Sequence, residues 1–163
     1  MAKDKALVGA AGVHYVAFKL SSIEIAIGLT APGVEDVDLL ATNTKTGKSV
    51  AIQVKTMTDA YHQTRKDAGW HWRIGKLAKA PPRAGLFLAF VDLCESSTKV
   101  PQVFIVQSTS LAPLVYGYPQ PPKGPPTDFW CWIDKGTESS YLNRWDLIDV
   151  ALGASPYAPT GSP

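Results

Sequence analysis

Three side chains within residues 37–56, VDLLATNTKTGKSVAIQVKT, are of types that do chemistry together: Asp38, Gln53 and Lys55. They offer a carboxylate, an amide oxygen and an ammonium. Oxygen donors suit a hard cation, and an ammonium offsets negative charge on a bound anion. Whether the three meet depends on how the segment folds. Two runs rich in Val, Ile and Leu flank TKTG, which carries the residues of a short hairpin turn. Centring the hairpin on Lys45 and Thr46 sets Asn43 opposite Lys48 and Asp38 opposite Gln53. Strand side chains alternate, so Gln53 and Lys55 share the Asp38 face, while Val37, Leu39, Ile52 and Val54 point the other way into a core.

An Asp on one strand followed by a residue-x-Lys on the next resembles the PD-(D/E)xK nuclease superfamily. Gln53 stands at that family's acid position, a variant also found in some modification-dependent restriction endonucleases. The resemblance extends back to GVHYVAFKLS at residues 12–21, which is similar to the first helix of small bacterial members reading Gly-Glu-x-x-Val-Ala-x-x-Leu. It extends forward to FVDL at 90–93, FIVQ at 104–107 and NRWDL at 143–147. The resemblance implies an α/β, restriction endonuclease-like core: a mixed sheet flanked by helices, in the order helix, three strands, helix, strand.

It also implies roles. Asp38 would be the principal ligand of Mg²⁺ or Mn²⁺, with the Gln53 side-chain oxygen and the Val54 carbonyl completing the protein share, and Lys55 would position the attacking water and stabilise developing charge. The family's first-helix acid falls on Val13. Residues 1–34 contain only Asp4 and Glu24 as acids, neither at the matching place, so Glu35 or Asp36 is left to substitute. The implied function is metal-dependent hydrolysis of DNA. The alternative is a catalytically inactive relative that binds nucleic acid or serves in an assembly.

Composition frames the rest. A chain of 163 residues with 45% hydrophobic and 18% charged residues describes one soluble globular domain, expected over residues 1–152. No apolar run approaches the ~20 residues of a membrane span and no long apolar signal core opens the chain, so the cytoplasm is the expected compartment and no membrane partner is expected. Cys94 and Cys131 lack zinc-site spacing and read as free thiols. The net charge of +2 hides an uneven distribution: residues 1–60 carry six basic and six acidic side chains, 61–83 six and one, and 84–163 four and seven. The basic window directly follows the metal-site pattern. It interleaves cations with rings, which suits phosphates and exposed bases, with Arg65, Lys66, Trp70, Arg73, Lys76 and Lys79 as candidate DNA contacts; the alternative is that the tryptophans are core or rim residues and the lysines a solvated face.

The remaining elements are expected as follows. Residues 5–20 form a helix apolar over most of its surface, therefore largely buried, with His14 a core histidine and Gly9 and Gly12 allowing close approach to a sheet. Residues 23–28 alternate as a strand. Residues 85–93 form a strand buried on both faces, and 103–106 another. Ser108 begins a short helix to residue 116. Residues 119–126, PQPPKGPP, form an exposed polyproline-like loop that could recruit a protein partner. Residues 129–133 are a strand or bend, 138–152 a helix, and 153–163 a disordered tail. A homodimer is a further expectation.

Overall fold

The structure, a computed structural model, describes residues 4–31, 36–94, 99–120 and 124–153. The first helix, α1 (Lys5–Ser21), starts where the Asp4 carboxylate accepts the Ala6 N–H at 2.8 Å, satisfying a donor that the first turn leaves open. It packs on a five-stranded sheet through Gly12, where an added Cβ would lie on Thr56 Oγ1. Gly9 meets nothing comparable. The inner stripe Val16 and Leu20 is fully buried, but Leu7, Ala10, Ala11, His14 and Phe18 are exposed. The helix is therefore half-buried, and His14 is a surface residue.

Glu24 takes a left-handed φ of 65°, and the Ile23 and Ile25 N–H groups fold back onto the Leu20 carbonyl. That turn consumes the first residues of the expected strand, so β1 is only Ala26–Leu29. It is the edge of a sheet ordered β1-β2-β3-β6-β7, with β2 Leu39–Thr42, β3 Ser49–Met57, β6 Leu86–Asp92 and β7 Gln102–Gln107. All neighbours are antiparallel except β3 and β6.

The central hairpin has the register expected from its turn: Leu39 faces Ile52, and Asn43 donates to the Lys48 carbonyl at 3.0 Å. Asn43 Oδ1 accepts the N–H groups of Lys45 and Thr46, and Gly47 supplies a φ of 71° that a Cβ would oppose. Buried along its whole length, β6 sends Phe87, Ala89 and Val91 to one core, and Leu88 and Phe90 to another. The first core is aliphatic and lies under α1 and the second helix. The second is aromatic and lies between this sheet and a second one.

That second sheet has the order β4-β5-β9-β8, from β4 Tyr61–Gln63, β5 Ala68–Arg73, β8 Val115–Gln120 and β9 Gly124–Asp134. It changes several expectations. Between the third and fourth strands of the first sheet stand the β4–β5 hairpin and a 3₁₀ turn at Gly75–Lys79, in place of a helix. The expected helix from Ser108 is two 3₁₀ turns followed by β8. The Pro-rich run is part of the β8–β9 hairpin, with a register shift between Tyr118 and Gln120, where Pro119 has no N–H to give; its residues 121–123 lie outside the described ones.

The expected helix over 138–152 is shortened to α2, Trp145–Ala151. Backbone at Tyr141 and Asn143 pairs with β7 instead, through Ile105 N–H to the Tyr141 carbonyl at 2.9 Å and Asn143 N–H to Val103 at 2.7 Å. Both cysteines are free, and burial pushes the Cys131 thiol up to about 12. The tail beyond residue 153 lies outside the described residues. Among the described residues no helix is long and apolar enough to cross a membrane.

Candidate functional site

Strands β2 and β3 part company at Asp38. Continuing their register would give the Val54 N–H to the Val37 carbonyl, but that carbonyl accepts the Thr30 hydroxyl at 2.6 Å. The Asp38 carboxylate fills the gap and takes the Val54 N–H through Oδ2 at 2.7 Å. The carboxylate is thereby fixed beside the strand segment that carries Gln53, Val54 and Lys55. Val54 itself points into the aliphatic core.

Gln53 is 6% exposed, and its Oε1 is buried without a hydrogen-bond partner. Leaving such an acceptor orphaned costs about 1–3 kcal/mol, so it calls for an explanation. Two residues on, half-buried Lys55 opens into the same cleft of about 370 Å³, between β3, β5, β9 and the 3₁₀ turn. Asp36, Arg73, Lys76 and Asp128 also line it. Asp36 has a left-handed φ of 64°, a conformation Asp tolerates better than most residues. Val13, at the position of the family's helix acid, packs against the aliphatic core on the α1 face. Of the two acids named to replace it, Asp36 reaches the cleft, and Glu35 lies outside the described residues.

The six candidate DNA contacts divide. Arg73 and Lys76 rim the cleft, Arg73 Nε bonded to Asp128 Oδ1 at 2.6 Å with 67% of its side chain still exposed. Lys79 follows on the 3₁₀ turn, its Nζ 5.2 Å from the centre of the Phe129 ring. Arg65 and Lys66 are exposed in the turn between β4 and β5, separated from Arg73 by the length of β5, about 17 Å at ~3.4 Å per residue. Trp70 is a core residue, 7% exposed and packed 5.0 Å from both the Tyr61 and Phe104 rings, so it has no open face to offer.

The outward rings of that sheet belong to other residues. His71 stacks on His62 at 5.5 Å and tilts against Trp130 at 5.0 Å, with Trp132 edge-on beside it. Burial, with the neighbouring His62, holds His71 below the ordinary histidine value of 6.5. Alternation along residues 128–134 could have flagged Trp130 and Trp132 as one face, but nothing local says which face is wet. Asp128 carried no sequence signal, because its pairing with Arg73 depends on β5 lying beside β9.

The acidic and amide oxygens near β3 divide: Asp36 and Gln53 line the cleft, whereas the Asp38 carboxylate, bonded to the Val54 N–H, is not among its lining residues. Among the described residues no group of three or more His, Cys, Asp or Glu is arranged to hold a metal. The orphaned Gln53 oxygen, however, is one that a hard cation would satisfy.

The fold is shared with a bacterial homing endonuclease, with a TM-score of 0.62 over 96% of this chain and all of the other, at 13% sequence identity. No protein-family model and no curated protein sequence matches the chain.

Proposed function

We propose that this protein is a divalent-metal-dependent nuclease of the PD-(D/E)xK kind that hydrolyses DNA phosphodiester bonds, with residues 1–152 as its one domain. The observation that carries the reading is Gln53: a buried amide oxygen without a partner, beside Lys55, in a cleft that holds Asp36 and is rimmed by Arg73 and Lys76. Asp38, Gln53 Oε1 and the Val54 carbonyl would hold Mg²⁺ or Mn²⁺, and Asp36 supplies the second carboxylate that Val13 cannot. When bound, such an ion acidifies a coordinated water and offsets charge on the phosphate. Lys55 orients the attacking water and stabilises the charge that develops on the phosphate oxygens. Arg73, Lys76 and Lys79 seat the phosphates on either side, a role for which their exposure suits them. The fold shared with a protein named as an endonuclease supports the choice of a nuclease.

The test is supercoiled plasmid incubated with Mg²⁺ or Mn²⁺, comparing the wild type with Asp38→Ala, Asp36→Asn and Lys55→Ala. The expected result is cleavage by the wild type, reduced about 100-fold or more by Asp38→Ala and by Lys55→Ala, in line with removing a group that acts on developing charge. Cleavage that persists in Asp38→Ala would sink the assigned site. No cleavage by the wild type in any condition would move the reading to a nucleic-acid-binding relative without chemistry, which Val13 at the helix position favours. Binding is tested separately: changing Arg73, Lys76 and Lys79 together to Ala should flatten the logarithmic salt dependence of DNA affinity by about 2–3, since each phosphate contact releases counterions. An unchanged slope puts the DNA elsewhere.

A further inference from the structure

A cleft that is to hold phosphates gains nothing obvious from Asp128. It adds a second carboxylate to that of Asp36 on the same walls, where a polyanion would be repelled. Its placing is nevertheless specific. Strands β5 and β9 pair so that Arg73 faces Trp130, and Asp128, two residues before Trp130, falls on the same face of the sheet at the diagonal position, within reach of a long side chain. The Arg73 Nε–H donates to Asp128 Oδ1 at 2.6 Å. The carboxylate is the more enclosed partner, 23% exposed against 67% for the arginine side chain, so a group set in the wall holds one that stands in the opening. Among the described residues no other hydrogen bond or ion pair engages Arg73, so the edge formed by its two terminal nitrogens is left whole.

We infer that Asp128 is a positioning residue: by holding Nε it presets Arg73 so that both terminal nitrogens clasp one phosphate of a nucleic-acid strand entering the cleft. The geometry suits the task, because a planar guanidinium matches two phosphate oxygens through parallel N–H bonds, and the end away from Nε is the one on offer. The gain lies in entropy. An arginine free in water loses its rotamer freedom when it grasps an anion, whereas one already tethered has given up most of that freedom on folding. That gain opposes the repulsion between carboxylate and phosphate, which salt weakens. An exposed ion pair adds little to stability, so holding the fold together is a poor account of the contact. The inference rests on the reading of the cleft as a phosphate-binding site, and on neither metal nor cleavage.

Anisotropy of a fluorescein-labelled DNA duplex, titrated in buffer with a chelator so that nothing is cut, tests this by its sign. On charge alone, removing an acid from the cleft tightens DNA binding. Asp128→Ala is expected to weaken it instead, by about 3- to 10-fold, the cost of ordering one mobile side chain on binding. Asp128→Asn, whose amide oxygen still accepts the Nε–H, should bind at least as tightly as wild type. Asp134→Asn, which removes an exposed charge further along β9, should not weaken binding. In an Arg73→Ala background, itself weakened, Asp128→Ala should cost nothing more, and circular dichroism should match wild type throughout. Asp128→Ala binding as tightly as wild type, beside a weakened Arg73→Ala, would overturn the positioning role and leave the cleft as the DNA site. A loss from Asp128→Ala that persists without Arg73, or that Asp128→Asn shares, would overturn it too. A wild type without affinity for the duplex, or Arg73→Ala binding as wild type does, would remove the phosphate reading itself and the proposal with it.

Discussion

Two polar side chains are buried on neighbouring parallel strands, and they are buried differently. Asp92, at the end of β6, is 2% exposed and its carboxylate has a partner: Oδ1 accepts the Cys94 N–H at 2.8 Å, with the backbone of Ala60 and Tyr61 close enough to favour its charged form. Burial pushes its carboxyl above the usual range while those donors pull the other way. Gln53, midway along β3, has its carbonyl oxygen buried with no partner at all. A buried polar group with its partners in place holds structure, here the joint between the first sheet and the second. One without them leaves a cost standing in the free protein, and a ligand can remove that cost.

Breaking Asp92 should have the largest effect. Asp92→Ala orphans the Cys94 N–H and is expected to lower the unfolding free energy by about 2–3 kcal/mol in urea titration, with Asp92→Asn, which keeps an acceptor, losing less. An Asp92→Ala protein as stable as wild type would remove one side of the contrast. Gln53→Met deletes the orphaned oxygen at similar volume, so stability should hold or rise by up to about 1 kcal/mol. The same variant should lose the increase in melting temperature that Mn²⁺ gives the wild type, because only a ligand of the folded state raises it. Destabilisation by Gln53→Met equal to that of Asp92→Ala would make Gln53 structural.

The smallest effect belongs to His71, which is half-buried among rings. Its folded value lies below the ordinary one, so the unfolded chain binds the proton more readily. The stability that follows is fully present above about pH 6.5 and is lost as pH falls through the folded value. Melting at about pH 7.5 and about pH 5 should differ by several tenths of a kcal/mol more in wild type than in His71→Gln. Equal differences would show that His71 is not buried as neutral imidazole.

The hairpin that carries Asp38, Gln53 and Lys55 was legible because its determinants are local. Period-two alternation chose the faces, and Asn43 with Gly47 chose the turn, which together leave one register. Strand β6 was legible for a similar reason: an apolar run of that length with no polar face has to be covered on both sides. The fork at Asp38 was not legible, since Val37 yields its carbonyl to Thr30 across the neighbouring strand. Trp70 in the basic window and Trp130 in FWCWI both read only as rings in short apolar segments, and only the side of the second sheet that meets Phe104 separates core from surface.

By itself, then, the sequence determined α1 and the central hairpin, whose hydrogen bonds are local, and strand β6, whose unbroken apolar run has to be covered on both faces, and with the hairpin the placing of Asp38 beside the Gln53–Lys55 segment. Tertiary structure alone decided what depends on partners far along the chain. Backbone at 141–143 joined β7 rather than continuing a helix, because an edge strand offered its donors and acceptors. Arg73 met Asp128 because β5 and β9 pair across some sixty residues. One stripe of α1 was left in water because the sheet beneath it had room for only the other.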